Sequence, residues 1–270
     1  MDEIKNSDIS AENRAEILNI IENFRLMDDT FMSKVFEDKA CAELLLRVIL
    51  NRDDLTVVRV VSQFELKNLQ GRSARLDIYA VDEHGKQYDV EVQRSDDGAA
   101  PRRARYNSSL LDANLLNPGD KFDELPESYI IFITEHDVLK GGKPLYTVNR
   151  TISELDHAIF TDGSHIIYVN GEIRNGTALG ELMQDFFCKD PREMHHKVLS
   201  DRAGYFKKDK EGVDTMCKLV EDYGNKKTYE QAVRFATKLW NKGERDLQQI
   251  ADLTDLPLDE VKKLFEGKTA

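Results

Sequence analysis

Two carboxylates and one amide stand in a pattern that suits metal chemistry. Asp77 lies in the segment 75–80, and Glu91 and Gln93 lie in a second segment shortly after it. In both segments apolar and polar residues alternate with period two, which is typical of half-buried β-strands. The connection, residues 83–85, ends in glycine and fits a three-residue hairpin loop with that glycine in the left-handed conformation.

The loop sets the register of the predicted hairpin. It pairs Asp82 with Lys86, and counting back from this pair places Asp77 directly opposite Glu91. Directly opposed residues have Cβ atoms roughly 4.5–5.5 Å apart, and like charges there destabilise a sheet. A shared divalent cation removes this repulsion, and Mg²⁺ typically takes one or two carboxylates plus waters. Gln93 adds a neutral amide on the same face.

Two alternatives to a metal site remain open on this pattern. The polar face could be exposed to water, with Arg75 and Lys86 keeping its carboxylates apart. A register slip of one residue would instead place Asp77 and Glu91 on opposite faces of the sheet. The spacing therefore predicts a carboxylate pair without deciding between a metal site and a solvated face.

The elements before the hairpin must position its strands. Apolar residues at helical spacing predict an amphipathic helix over residues 29–50, and a shorter helix is predicted over residues 11–24. Glu43 lies within the longer helix, where an ordinary surface charge is the favoured interpretation. Residues 55–66 are rich in β-branched side chains and predict a strand that leads into the hairpin.

A helix with a basic cluster is predicted to follow the hairpin. Pro101 suits its first position, and the Asn-Pro-Gly sequence at residues 117–119 comes just after its end near residue 116. Arginine side chains at this place could hold a phosphate backbone, although a solvated helix face explains them equally well. The candidate residues for contact with DNA are Arg102, Arg103, Arg105 and Tyr106.

The following segments predict the rest of a sheet. Residues 129–134 form a continuous apolar run, as expected for a central strand covered on both faces. Residues 145–152 and 165–170 predict further strands, and residues 177–187 predict a helix. This order indicates a mixed α/β sheet with helices on both faces, not a doubly wound nucleotide-binding fold. The sequence has no glycine-rich phosphate loop.

The C-terminal part of the sequence predicts helices only. Two are expected over residues 215–224 and 228–242, after a charged junction. The tail, residues 246–264, has the pattern of a helix-turn-helix. Its second helix begins with Asp259 and Glu260, where a DNA-reading helix carries hydrogen-bond donors. Packing or self-association is therefore the favoured role of the tail, and DNA reading is the alternative.

Composition restricts the class of protein. The 270 residues include 38 basic and 50 acidic side chains, which give a net charge of −12. This acidity argues against non-specific coating of nucleic acid but allows a local basic groove. Three scattered cysteines, the absence of a signal-peptide pattern and the absence of a long apolar run predict a cytoplasmic protein without a membrane span. The histidines, including His195 and His196, lack metal-ligand spacing and are predicted to be structural.

The order of these segments resembles the PD-(D/E)xK nuclease superfamily, and within it the recombination-promoting nuclease or putative transposase family. The segments that carry the resemblance are 75–78, 89–93, 102–106, 120–133, 160–170 and 179–187. The resemblance implies a restriction-endonuclease-like mixed sheet flanked by helices over residues 28–210. An N-terminal extension (1–27) would precede this domain, and a small all-α region (211–270) would follow it.

The resemblance also implies a chemistry. Asp77 and Glu91 would bind Mg²⁺, with Mn²⁺ as an alternative ion, and Gln93 stands where most of the superfamily has lysine. A glutamine can form hydrogen bonds but brings no positive charge. Glu43 matches an additional acidic residue on the first helix. The expected function is a Mg²⁺-dependent DNA endonuclease in recombination or mobile-element biology. The alternative is a catalytically inactive DNA-binding or assembly protein, with C-terminal helices available for self-association.

Overall fold

A computed structural model gives the fold for residues 11–68 and 71–266. The chain divides into two compact units, Leu18–Val213 and a second unit that combines Asp214–Ala270 with Met1–Ile17. The domain boundaries expected from the sequence, after residues 27 and 210, stay a prediction. None of the helices in the described part of the chain has the length and apolarity that a membrane crossing requires.

The larger unit is built on a mixed β-sheet, as the sequence predicts. Its six strands have the order β1-β2-β3-β4-β8-β5. Strands β1 to β3 are antiparallel, β3, β4 and β8 are parallel, and β5 is antiparallel to β8. Two short strands, β6 and β7, pair separately. The strands are β1 (Val57–Leu66), β2 (Ala74–Asp82), β3 (Gln87–Gln93), β4 (Ser128–Thr134), β5 (Leu145–Val148), β6 (Thr151–Ile152), β7 (Ala158–Ile159) and β8 (Ser164–Asn170).

Helices flank this sheet in the larger unit and form the smaller unit. The helices are α1 (Ala11–Asn23), α2 (Asp29–Val35), α3 (Lys39–Leu50), α4 (Pro101–Ala113), α5 (Ala178–Phe187), α6 (Lys197–Lys208), α7 (Lys210–Asn241), α8 (Leu247–Thr254) and α9 (Leu258–Phe265). The sheet with flanking helices and the C-terminal helices confirm the predicted fold class.

The β2–β3 hairpin has the predicted register. Ile78 pairs with Val90, and the backbone N–H of Asp82 donates to the carbonyl of Lys86 at 3.1 Å. The loop glycine, Gly85, has a φ of +79° and so adopts the left-handed conformation that the loop requires. Continuing the register by one step from the Ile78–Val90 pair places residue 77 opposite residue 91.

The single helix predicted over residues 29–50 is wrong, because the structure has two helices there. Asp38 separates α2 from α3, and its Oδ1 accepts hydrogen bonds from the backbone N–H groups of Ala40 and Cys41. This N-cap satisfies donors at the start of a helix, so it favours a new helix over continuation of α2. Apolar spacing alone did not reveal the break.

Helix α4 covers one face of the sheet. It packs against β4, and it begins at Pro101 as predicted. Helix α3 packs against β1, α5 and α6. The apolar cluster between α4 and the sheet consists of Leu66, Leu76, Tyr79, Ala99, Ala104, Leu110, Leu111, Ile130, Phe132 and Tyr168.

The smaller unit has one long helix where the sequence predicts a junction and two helices. Helix α7 runs from Lys210 to Asn241 without a break. An interior glycine such as Gly224 costs only about 1 kcal/mol, which does not end a helix of this length. The α8–α9 pair is present as predicted, and Phe265 stacks on Trp240 with ring centroids 4.4 Å apart.

Candidate active site

Three acidic side chains share one face of the β2–β3 hairpin. Asp89 pairs with Tyr79 across the hairpin, and the same register sets Asp77 opposite Glu91. On the other side of β3, Glu91 is beside Phe132 of β4 in parallel pairing. Asp89 and Glu91 are both 0% exposed. The hairpin therefore buries acidic side chains among apolar neighbours, which costs free energy unless other groups compensate.

The solvated-face alternative is wrong. Every residue of β3 before Gln93 is buried, because α4 covers the face that carries the carboxylates. Lys86 does not separate the charges, since its Nζ lies 2.7 Å from the Oε2 of Glu127. Apolar and polar residues alternate along β3 because both faces of the strand are covered, one carrying apolar side chains and the other acidic ones.

Hydrogen bonds account for only part of the buried oxygens. The backbone N–H of Val92 donates to Asp77 Oδ2 at 3.0 Å, and Asn107 Nδ2 of α4 donates to Asp89 Oδ2 at 3.3 Å. Asp89 Oδ1 and Glu91 Oε1 have no hydrogen-bond partner within residues 11–68 and 71–266. Most buried polar atoms in proteins have a partner, so two open oxygens at one place indicate a site for a cation or a proton.

Burial and mutual repulsion make these carboxyls weak acids. Burial is the main cause that raises the pKa of Asp77 to about 6, and the charge of Asp29 on α2 also raises it. Burial and the charge of Asp77 raise the pKa of Glu91 to about 8, against the opposing effect of Arg103. The pKa of Asp89 is well above its ordinary value, through burial and then repulsion by Glu91 and Asp77. Perturbed acids grouped in this way mark candidate functional sites.

Gln93 and Arg103 complete the site at its outer end. Gln93 Nε2 donates to Glu91 Oε2 at 3.2 Å, and Arg103 Nη2 forms an ion pair with the same oxygen. Arg103 Nη1 donates to Gln93 Oε1 at 3.2 Å and to the carbonyl of Gly98 at 2.8 Å. Gly98 lies so close that a Cβ there would overlap Gln93 Oε1. The absence of a Cβ at position 98 therefore allows the Gln93 amide to lie between the Glu91 carboxylate and the Arg103 guanidinium.

A basic groove of about 550 Å³ adjoins the site. It is lined by residues of α4, the start of β2 and the segment before it. Tyr106 braces the groove, because its hydroxyl donates to the carbonyl of Arg72 and accepts a hydrogen bond from Asn68 Nδ2 at 3.2 Å. Arg105 is exposed on α4 but does not line the groove. The lining residues are Arg72, Ser73, Ala74, Arg75, Asp97, Arg102, Arg103, Tyr106 and Asn107.

Glu43 does not join the carboxylates. Its Oε2 accepts a hydrogen bond from the backbone N–H of Val57 at 2.9 Å, and its Oε1 lies 2.9 Å from Arg47 Nη2. One oxygen therefore binds the start of β1, and the other forms an ion pair one turn further along α3. Asp29 at the start of α2 is the acidic residue of the first helices that acts electrostatically on Asp77.

The donor set fits a hard divalent cation with few protein ligands. No group of three or more His, Cys, Asp or Glu side chains among the described residues is arranged to hold a metal ion. Mg²⁺ does not require such a group, because one or two carboxylates with waters and phosphate oxygens suffice. The open oxygen of Glu91 supplies the kind of buried, hard donor that this ion prefers.

The mixed six-stranded sheet flanked by helices is consistent with the fold of PD-(D/E)XK nucleases. A family model described as PD-(D/E)XK nuclease family transposase matches residues 32–175, more than half of the chain. The chain belongs to this family, in which nucleases generally use divalent metal ions and act on DNA. No curated protein and no solved structure matches the chain.

Three contributors to the site were not predicted from the sequence. Asp89 and Asn107 form a buried polar contact beneath α4, and Asp29 approaches from α2. The signal for Asp89 was present in the sequence, because it lies two residues before Glu91 and so shares its face. Asn107 and Asp29 gave no such signal, since their places depend on how helices pack on the sheet.

Proposed function

We propose that this protein is a divalent-metal-dependent DNA endonuclease that hydrolyses phosphodiester bonds in the cytoplasm, in a recombination or mobile-element context. The observation that supports this most is the half-buried Asp77 opposite the fully buried Glu91, which has an open oxygen beside an arginine-lined groove. Structural ion pairs rarely leave buried acceptors open, whereas a site for a cation needs them.

Each residue of the site has a role in this proposal. Asp77 and Glu91 would hold Mg²⁺ or Mn²⁺, and Asp89 behind them adds negative potential. A bound divalent ion supplies Lewis-acid stabilisation of charge on the phosphodiester. Gln93, already hydrogen-bonded to Glu91, would orient the attacking water or a phosphate oxygen through its amide.

The groove would bind the phosphate backbone. Arg72, Arg75 and Arg102 line it, and no ion pair within the described part of the chain occupies their guanidinium groups. Arginine suits this task because its planar donors match phosphate oxygens. Arg105, exposed on the same helix, would extend the contact beyond the groove. A local basic surface explains how a chain with a net charge of −12 can take DNA as its substrate.

Plasmid nicking tests the proposal. Purified protein should convert supercoiled plasmid to the nicked form in Mg²⁺ or Mn²⁺, and chelation should stop the reaction. Asp77→Ala should lower the rate at least about 100-fold, because it removes one of two ion-binding carboxylates. Asp201→Ala is the matched control, since this aspartate is 62% exposed on α6. Equal nicking by wild type and Asp77→Ala in both metals would refute the proposal.

The neutral side chain of Gln93 favours a second candidate, a DNA-binding or assembly protein that keeps the fold without cleavage. In that case DNA binding would depend on salt, survive Asp77→Ala and lead to no cleavage in any metal. Self-association would then involve the C-terminal helices. Light scattering of the full chain, with and without DNA, measures its oligomeric state directly.

A further inference from the structure

A neutral side chain occupies the place two residues after Glu91, where the resemblance to PD-(D/E)xK nucleases implies a lysine. The carboxamide of Gln93 does not face open solvent there. Its Nε2 donates to Glu91 Oε2 at 3.2 Å, and its Oε1 accepts from Arg103 Nη1 at 3.2 Å. The amide therefore bridges a carboxylate of the site and a guanidinium from another element.

That guanidinium is held in one place by several contacts. Arg103 Nη2 pairs with Glu91 Oε2, while Nη1 donates to Gln93 and to the Gly98 carbonyl. Its Cζ also lies 6.0 Å from the centre of the Phe132 ring. The side chain keeps 38% of its surface exposed and lines the basic groove. One edge of the guanidinium thus faces the buried carboxylates and the rest borders the groove.

We propose that Arg103 is a positioning residue that supplies, from α4, the positive charge which Gln93 cannot supply from β3. This inference rests on the proposed nuclease function and assigns a role to one residue within it. Gln93 and Arg103 together would replace the lysine. The Gln93 amide orients the guanidinium, and the guanidinium of Arg103 carries the positive charge. Among the described residues, no other cationic side chain forms an ion pair with Asp77, Asp89 or Glu91.

The neighbouring arginines differ from Arg103 in this respect. Arg102 lines the groove but is exposed and has no contact with the carboxylates, and Arg105 lies outside the groove. A phosphate-binding role suits those two residues. Loss of Arg72, Arg75 or Arg102 should weaken DNA binding, whereas loss of Arg103 should lower the rate of cleavage at unchanged binding.

A charge-relocation experiment tests the inference. Four variants are compared with wild type: Arg103→Gln, Arg103→Lys, Gln93→Lys, and Gln93→Lys combined with Arg103→Gln. Arg192→Gln, which removes a surface arginine with 77% exposure, is the control. Plasmid nicking gives kcat and KM, fluorescence anisotropy in Ca²⁺ gives the Kd for a duplex, and circular dichroism gives Tm.

We expect Arg103→Gln to lower kcat roughly 100-fold while the Kd for DNA changes less than about threefold. Arg103→Lys should retain part of the rate, and Gln93→Lys in the Arg103→Gln background should recover at least about tenfold, because it returns a cation to the same carboxylate. A merely structural arginine would lower Tm and leave kcat of the folded protein unchanged. That result would overturn the inference, as would a double variant no faster than Arg103→Gln at equal Tm.

The failure of the nuclease proposal can be separated from failure of this inference. If wild-type protein does not nick DNA in any metal, the proposed function fails and Tm alone judges the charge exchange. A double variant that melts above Arg103→Gln would then support the exchange of charge at Glu91 between β3 and α4, while the positioning role in cleavage would fall with the proposed function. A double variant that melts at or below Arg103→Gln would overturn the exchange.

Discussion

Asp185 and Asp89 are the two aspartates in the described part of the larger unit with 0% exposure, and their surroundings differ. Asp185 near the end of α5 is 0% exposed, and its two oxygens accept hydrogen bonds from the backbone N–H groups of His195 and His196 at 2.6 and 3.0 Å. The His196 ring adds an Nδ1 contact at 2.7 Å. Asp89 is equally buried but has one weak partner, Asn107, and one open oxygen.

The difference separates a fully compensated carboxylate from one that is compensated only in part. Asp185 is fully compensated, so its burial stabilises the turn that leads into α6. The sheet carboxylates are compensated in part and repel one another, so the fold keeps them at a cost. Burial alone therefore does not distinguish these two aspartates, whereas a buried acceptor without a partner sets Asp89 apart from Asp185.

Removing Asp185 should cause the largest loss of stability. Asp185→Ala leaves two buried N–H groups and the His196 ring without their acceptor, and we expect a loss of at least about 3 kcal/mol in the free energy of unfolding. Urea unfolding measures this loss. Asp201→Ala, at an exposed aspartate, should change the free energy by less than about 0.5 kcal/mol. Equal effects at the two sites would remove the contrast drawn here.

Stability should depend on pH because of the sheet carboxylates. Their raised pKa values mean that the folded state keeps protons that the unfolded chain releases near pH 4, so stability falls as pH rises from about 4 through 6 and 8. The shift of Asp77 alone corresponds to about 3 kcal/mol. Urea unfolding in chelator at pH 5, 6.5 and 8 measures the slope.

A divalent ion should reverse part of that pH effect. Added Mg²⁺ or Mn²⁺ at pH 8 is expected to raise the Tm of wild type, because it binds the folded, ionised carboxylates. Asp77→Asn combined with Glu91→Gln should flatten the pH dependence and abolish the response to metal. Stability that is equal at pH 5 and pH 8 in wild type would show that the sheet carboxylates are compensated like Asp185.

The smallest expected effect is a gain. Asp89→Asn removes a buried carboxyl group whose ionisation is opposed by burial, Glu91 and Asp77, and the amide can still bond to Asn107, so stability at pH 8 should rise by about 1–2 kcal/mol. Urea unfolding at pH 8 and pH 5 checks this, and the gain should shrink at pH 5. The exposed control Asp201→Asn should be neutral at both values. A loss of stability would indicate that Asp89 is compensated in a way that Asn cannot reproduce.

The hairpin was predictable because local rules determine it. Period two, a three-residue loop and a glycine at its left-handed position fix the register without reference to the rest of the chain. The order of the segments predicted the mixed α/β sheet, and the family resemblance supplied its restriction-endonuclease-like type and the place of Gln93. The opposition of Asp77 and Glu91 followed from counting.

The surroundings of that hairpin were not predictable in the same way. Polar alternation in β3 reads as a half-exposed strand, and only α4 packing on it reveals that Asp89 and Glu91 are buried. The family resemblance pointed to Glu43 through its place on the first helix. In the structure its carboxylate instead contacts the backbone N–H of Val57 and the side chain of Arg47. Whether a helix continues also depends on whether a capping side chain favours a new start. This explains why the predicted helix divides at Asp38 and why α7 is continuous.

Gly98 gives position 98 a distinctive tolerance to mutation. Because a Cβ there would push the Gln93 amide away from Glu91 and Arg103, a library that substitutes position 98 and is selected for DNA cleavage should favour glycine. Position 176, where an added Cβ meets nothing within 4 Å, should accept many small residues in the same selection. A glycine that is unremarkable by conformation would then be recognisable from its mutational profile as part of the proposed active site.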